Sequence, residues 1–382
     1  MADRDPEGGI IARIAEGVAA LPKEEWDACA GTNNPFVSHD FLSALEDSGS
    51  VGPGTGWKAL PIVIDGPDGR IAGALPAYVK GHSQGEYVFD HAWADAFQRA
   101  GGRYYPKLQI ASPFSPVPGP RLLLRDPRLA PALLAAAETV VNQNGLSSAH
   151  ATFVEEAQLP MFEAAGWLIR SDSQFHWTNR GYGSFDDFLA ELSSRKRKDI
   201  RKERAAAVAG LDIVHLTGAE ITEAHWDIFW HFYQDTGARK WGQPYLTREC
   251  FSLLGERMAD KILLIFAMRD GRAIAGALNM IGTHTLYGRY WGCAEDVPFL
   301  HFELCYYQAI DVAIARGLAT VEAGAQGGHK LARGYGPVPT WSAHYIADPG
   351  FRRAVRDFLE QEREASAQER EWLGERVPFR KG

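Results

Sequence analysis

Four cysteines in 382 residues, Cys29, Cys250, Cys293 and Cys305, are scattered and form no CxxC pair. That spacing supports neither a zinc site nor a disulfide framework, and no metal is expected. No stretch approaches the ~18 uninterrupted apolar residues of a membrane span. The first residues carry Asp3, Asp5 and Glu7 and no apolar run of signal length, so a cytoplasmic location is expected. Positive charge is scarce too. Forty Lys and Arg against 48 Asp and Glu leave a net charge of −8, which argues against wholesale polyanion binding but allows a local basic patch. Apolar side chains, at 46 % with 11 % of residues aromatic, are enough for sizeable cores. The length predicts two domains, or three.

The chain reads as two α/β units, 1–174 and 175–382. In the first, Ser38 caps a helix within 33–49, and 57–90 alternates like a β-meander with a Pro-Asp-Gly turn at 67–69. Helices follow at 91–101 and 128–145, with short strands between them and a strand–helix–strand at 149–172. In the second, one long helix is expected over 185–211, a strand at 212–216, and helices at 225–242 and 246–260. A second meander covers 262–293. A helix at 303–317 runs into a strand at 318–321, and a charged helix spans 352–373. The meanders repeat: DGR-IAGAL at 68–75 returns as DGRAIAGAL at 270–278. A duplication follows, with two tandem domains, each a mainly antiparallel twisted sheet flanked by helices.

After the 318–321 strand the chain opens into Gly324, Gly327, Gly328 and Gly334, interleaved with His329, Lys330 and Arg333. At about 1 kcal/mol per glycine relative to alanine, no helix tolerates that density. A strand end with glycine N–H groups and cations beside it suits a phosphate, a carboxylate or a developing oxyanion. Gln326, Gly327, Gly328, Arg333 and His344 are expected to contact substrate there. Bases for an attacking amine are sought among His329, Glu322, His344, His301 and Glu303.

The DG turn, IAGAL and a further strand resemble the acetyltransferase fold of the GNAT superfamily. Tandem copies of that fold define the Fem-type aminoacyl ligases. Over residues 34–360 the chain resembles the FemAB-like branch labelled as peptidoglycan biosynthesis or recognition proteins. The resemblance rests on GEYVFDHAWADAF (85–97), YYPKLQ (104–109), GRYWG (288–292) and EAGAQGGHKLARGY (322–335). It implies an α+β fold of two tandem GNAT-like domains and amide formation on a small-molecule or peptide amine, with aminoacyl-tRNA as co-substrate and no bound cofactor. In Fem-type ligases a lysine in a Phe-Lys pair lies by the reacting carbonyl. Lys330 matches it, with His329 replacing the aromatic. Lys330, His329 and Glu322 are therefore the expected catalytic residues.

Two rivals remain. CoA-dependent acetyltransferases need a glycine-patterned pyrophosphate loop. Residues 292–307 lack it and carry Glu295 and Asp296, which disfavours acetyl-CoA. The other rival is a non-catalytic module that binds a cell-wall precursor or nucleic acid. The run SRKRKDIRKER at 194–204, with Arg195, Lys196, Arg197, Lys198 and Arg201, can contact phosphates of tRNA, of an anionic lipid surface or of a nucleotide-linked precursor. Tyr290 and Trp241 are expected to line a groove. His82, Glu86, Asp90 and His91 gather near a strand end in the first domain as a second ligand site or a relic.

Overall fold

The structure, a computed structural model, describes residues 10–240, 244–324 and 328–380. It divides into two compact units: Met1–Asp172 with Pro339–Ala367, and Ser173–Val338 with Gln368–Gly382. Pro339–Ala367, expected in the second domain, thus belongs to unit 1.

Unit 1 begins with β1 (Ala12–Ile14), β2 (Trp57–Ala59), β3 (Ile62–Asp65) and β4 (Ile71–Leu75). It continues with β5 (Ala77–Lys80), β6 (Lys107–Ile110), β7 (Leu123–Leu124) and β8 (Ser148–Val154). Strands β1, β3, β4 and β7 form one small antiparallel sheet. Strands β2, β5, β6 and β8 form another, in which β6 and β8 are parallel. The chain changes sheets at Pro76. Proline has no N–H for a ladder, so β4 stops there and β5 starts in the other sheet. The helix Ala130–Gln143 buries Leu133, Leu134, Ala137 and Val141 against both. Ser38 caps the helix His39–Asp47 as expected, accepting from the Phe41 N–H at 3.3 Å.

Unit 2 is built on β9 (Leu168–Thr178, from Ser173 on), β10 (Asp212–Thr217) and β11 (Ile262–Arg269). Strands β12 (Arg272–Ile281), β13 (Thr285–Cys293) and β14 (Thr320–Glu322) complete it. The order is β10-β11-β12-β13-β14-β9. Only β13–β14 is parallel within it. The β11–β12 hairpin turns on Asp270 and Gly271, both at positive φ, the twist that a two-residue turn needs. Strand β15 (Gly336–Ile346) returns to unit 1, where residues 341–346 pair with β8.

Two expectations change. The helix expected over 185–211 is two, Phe185–Glu191 and Ser194–Ala207. It breaks where Leu192 bridges Phe379 and the Ser193 N–H bonds Pro378 O, so tertiary pairing overrides local propensity. The repeat also ends sooner than the meander alignment implies. Residues 81–90, expected within the 57–90 meander, are irregular. By topology, antiparallel then parallel, β5–β6–β8 answers to β12–β13–β14. KLQI at 107–110 is therefore the counterpart of the GRYWG strand.

Candidate active site

In unit 2, β13 and β14 pair for only three positions, Thr285↔Thr320 to Tyr287↔Glu322, and then part. Gly288 allows the last close approach, since a Cβ there would lie 3.3 Å from Glu322 O. On the other side, the β12–β13 register shifts at Leu278/Asn279. This is the repeat position at which unit 1 has Pro76. Between the parted strands lies a cavity of ≈ 100 Å³, lined among others by Asn279, Tyr290, His301, Cys305, Tyr306 and Gly324.

Three expected catalytic residues gather at the edge of this cavity. Lys330 sits on a 3₁₀ turn, Gly328–Arg333, and is 1 % exposed. Its Nζ donates to Gly324 O at 2.7 Å, the carbonyl of a lining residue. Burial brings its pKa down to about 8. Glu322 ends β14, and its Oε2 is buried without a hydrogen-bond partner among the described residues. Burial pushes its carboxyl up to about 8, and Arg289 opposes that. His329 hydrogen-bonds the Tyr306 hydroxyl at 2.8 Å. A fourth residue escapes sequence reading. His176 on β9 is the register partner of Glu322, with its Nε2 4.0 Å from the carboxylate. Burial and then the Lys330 charge push its pKa down to about 4.

The other expected residues fare differently. Tyr290 lines the cavity and its ring meets Tyr233 at 4.9 Å. Gly328 opens the 3₁₀ turn with open space where a side chain would be. Arg333 is taken up by partners within the protein. Its guanidinium donates to Glu203 at 2.8 Å and to His329 O at 2.9 Å, and it covers the Phe302 ring at 3.4 Å. His344 belongs to unit 1, where its Nδ1 meets His150 Nδ1 at 2.7 Å. Glu303 is fully buried and held by Arg204 at 2.8 Å. Glu295, counted against a pyrophosphate, is taken by Arg269 and Arg272. Gln326, Gly327 and Trp241 lie outside the described residues.

The basic run forms the helix Ser194–Ala207, which buries Ile200 and anchors Glu203 and Arg204 inward. Arg195, Lys198 and Arg201 are exposed, while Lys196 and Arg197 are half-buried. Arg201 pairs with Asp186 at 2.7 Å. Among the described residues no helix is long and apolar enough to cross a membrane, and no cluster of potential ligands could hold a metal.

The family model of FemAB-like proteins, described as peptidoglycan biosynthesis/recognition, matches residues 17–381. The chain belongs to the FemAB-like family. Among solved structures, FemX shares 13 % identity with a TM-score of 0.55, covering 90 % of this chain and all of that one. L-PGS from Bacillus licheniformis shares 10 % identity at a TM-score of 0.51, over 86 % of this chain and 98 % of its own. A conserved protein from Bacteroides thetaiotaomicron shares 12 % at 0.53, over 88 % and 100 %. No curated protein matches in sequence. At these identities the likeness establishes the fold, and the chain has the expected architecture: mixed α/β, GNAT-like, with mainly antiparallel sheets. Within this FemAB-like fold, the parted β13 and β14 flank a cavity that a buried lysine and carboxylate adjoin.

Proposed function

We propose that this FemAB-like protein is an N-acyltransferase that forms an amide on an amine acceptor, with an aminoacyl ester as donor and a peptidoglycan-type precursor as acceptor. The observation that carries the reading is Lys330, a buried ammonium fixed to the carbonyl of a residue lining the cavity between the parted strands. Family membership and the fold shared with FemX support it.

The acceptor nitrogen attacks the donor carbonyl and a C–N bond forms. Negative charge gathers on the carbonyl oxygen as the tetrahedral centre develops. A fixed cation at that oxygen is worth about 3–4 kcal/mol of barrier in a water-poor site. The attacking nitrogen must shed a proton. Glu322, held near neutral pKa by burial, is the base suited to accept it. The C–O bond to the donor alcohol then breaks, and the leaving oxygen takes a proton back. The exposed cations of helix Ser194–Ala207 would meet the phosphates of a tRNA donor or a nucleotide-linked acceptor.

The test is single-turnover amide formation from aminoacyl-tRNA with wild type and Lys330→Met. The variant should lose about 10²–10³ in rate while substrate affinity stays within a few fold. Equal loss of both would make the chain a binder. Calorimetric binding of acetyl-CoA, with turnover, would assign the site to acetyl transfer.

A further inference from the structure

In unit 1 one face of the second sheet is polar and yet covered. Two rungs cross it. Trp57, Lys80 and Lys107 are register partners on β2, β5 and β6. Tyr78, Gln109, His150 and His344 are partners on β5, β6, β8 and β15. Each of these side chains is at most 2 % exposed. The opposite face carries Leu108, Ile110, Ala149, Ala151 and Ala343 into the apolar core, so these rungs have no part in it. A sheet face with this composition ordinarily faces water.

The charges there are half matched. Lys107 donates to Glu86 at 2.6 Å and to Asp90. Lys80 pairs with no carboxylate among the described residues. Its Nζ donates to Gln84 O at 2.7 Å and lies 3.7 Å over the Trp57 ring. Several buried atoms have no hydrogen-bond partner among the described residues, and they sort by chemistry. The donors Trp57 Nε1 and Tyr78 OH lie on β2 and β5, with Lys80 over the indole. The acceptors Gln109 Oε1, Glu86 Oε2 and Asp90 Oδ1 lie on β6 and on the loop that touches it. Folded proteins pair nearly all buried polar atoms, so such a set calls for an occupant.

We propose that this face is a second ligand site, taking the zwitterion of a free α-amino acid. Lys80, Trp57 and Tyr78 hold the carboxylate. Glu86, Asp90 and Gln109 hold the ammonium. The two groups of an α-amino acid are one carbon apart, which suits donor and acceptor sets on adjacent strands. Residues 81–90 close the site. Gly85 lies directly on the indole, since a Cβ there would sit 3.4 Å from Trp57 Nε1 and 2.7 Å from the Phe114 ring. This loop has no regular structure and holds Tyr87 at φ 58°; it is held to the face by Lys107, which donates to Ser83, Glu86 and Asp90, and by the Phe114 N–H on Gly85 O. Its release opens the face.

The experiment is calorimetry and thermal shift on the full chain with glycine, D-alanine and the twenty standard L-amino acids. Each binder is then repeated as its N-acetyl and its carboxamide derivative. At least one free amino acid should bind saturably, and both blocked forms should bind at least tenfold more weakly. Tyr78→Phe removes a hydroxyl that has no partner among the described residues, so the fold should survive it while affinity falls at least threefold. Glu86→Gln, the second variant, should weaken the ammonium side by a similar factor. The proposal is overturned if no free amino acid binds, because the orphan atoms then hold only water. It is equally overturned if blocked forms bind as well as free ones, or if Tyr78→Phe binds like wild type. Binding is the readout, so the outcome is independent of the acyl-transfer reading of Lys330.

Discussion

Glu322 and Lys330 are both pushed by burial toward their neutral forms, to about 8 from opposite sides. Catalysis as proposed needs the carboxylate ionised and the ammonium protonated. The rate should therefore trace a bell centred near pH 8, whose two limbs belong to the pair. Glu322→Gln should remove the acidic limb and lower kcat by about 10²-fold. The same carboxyl affects stability. Between its ordinary 4.5 and about 8, the native state keeps a proton that the unfolded chain has lost. Stability contributed by this group thus falls as pH rises across that window, and Glu322→Gln should flatten the slope in urea titrations. Arg333 makes a different prediction. Its partner Glu203 lies mostly out of solvent, so Arg333→Met should cost about 3 kcal/mol by leaving that charge unpaired. Lys330, His329 and Glu322 were legible because they crowd one short glycine-rich stretch. His176 was not, because only the β9–β14 register brings it to Glu322. Arg333 was misjudged for a like reason: its carboxylate is 130 residues away.

At the level of elements, glycine marks close approaches as well as turns. Gly292 on β13 faces the backbone of helix Glu223–Lys240, and a Cβ there would lie 2.2 Å from Phe232 O. Gly292→Ala should destabilise the protein by more than ~2 kcal/mol, read from the urea midpoint. Helix Ser194–Ala207 should behave oppositely. No ion pair is found for Arg195, Lys196, Arg197 or Lys198 among the described residues. Replacing all four with glutamine should leave the melting temperature nearly unchanged. If the helix meets phosphates, the salt slope of tRNA affinity should shrink by about 3. The hairpins were readable from their DG turns and alternation, and helix starts from their caps. The end of the meander expected over 57–90 is a loop instead, because alternation cannot distinguish a strand from a buried loop whose acids seek a lysine.

For the molecule as a whole, unit 1 keeps a polar interior that its sequence disguises. KLQI and SAHAT alternate as half-solvated strands do, so burial of both faces was not legible. Inside it, burial pushes His150 down to about 3 and His344 well below 6.5. Both must stay neutral in the native state. The stability they contribute is complete above pH 6.5 and is lost as pH falls toward 3. The protection factors of the β8 and β15 amides, corrected for intrinsic exchange, should therefore fall as the pH drops from 6.5 toward 3.

The contact between those rings has a further consequence. Two Nδ1 atoms 2.7 Å apart have room for a single hydrogen, so the tautomer of one imidazole dictates that of the other. Replace either ring alone and its partner is left with a lone pair, or a hydrogen, facing nothing. Positions 150 and 344, 194 residues apart along the chain, are thus expected to drift through evolution in step or to stay put together.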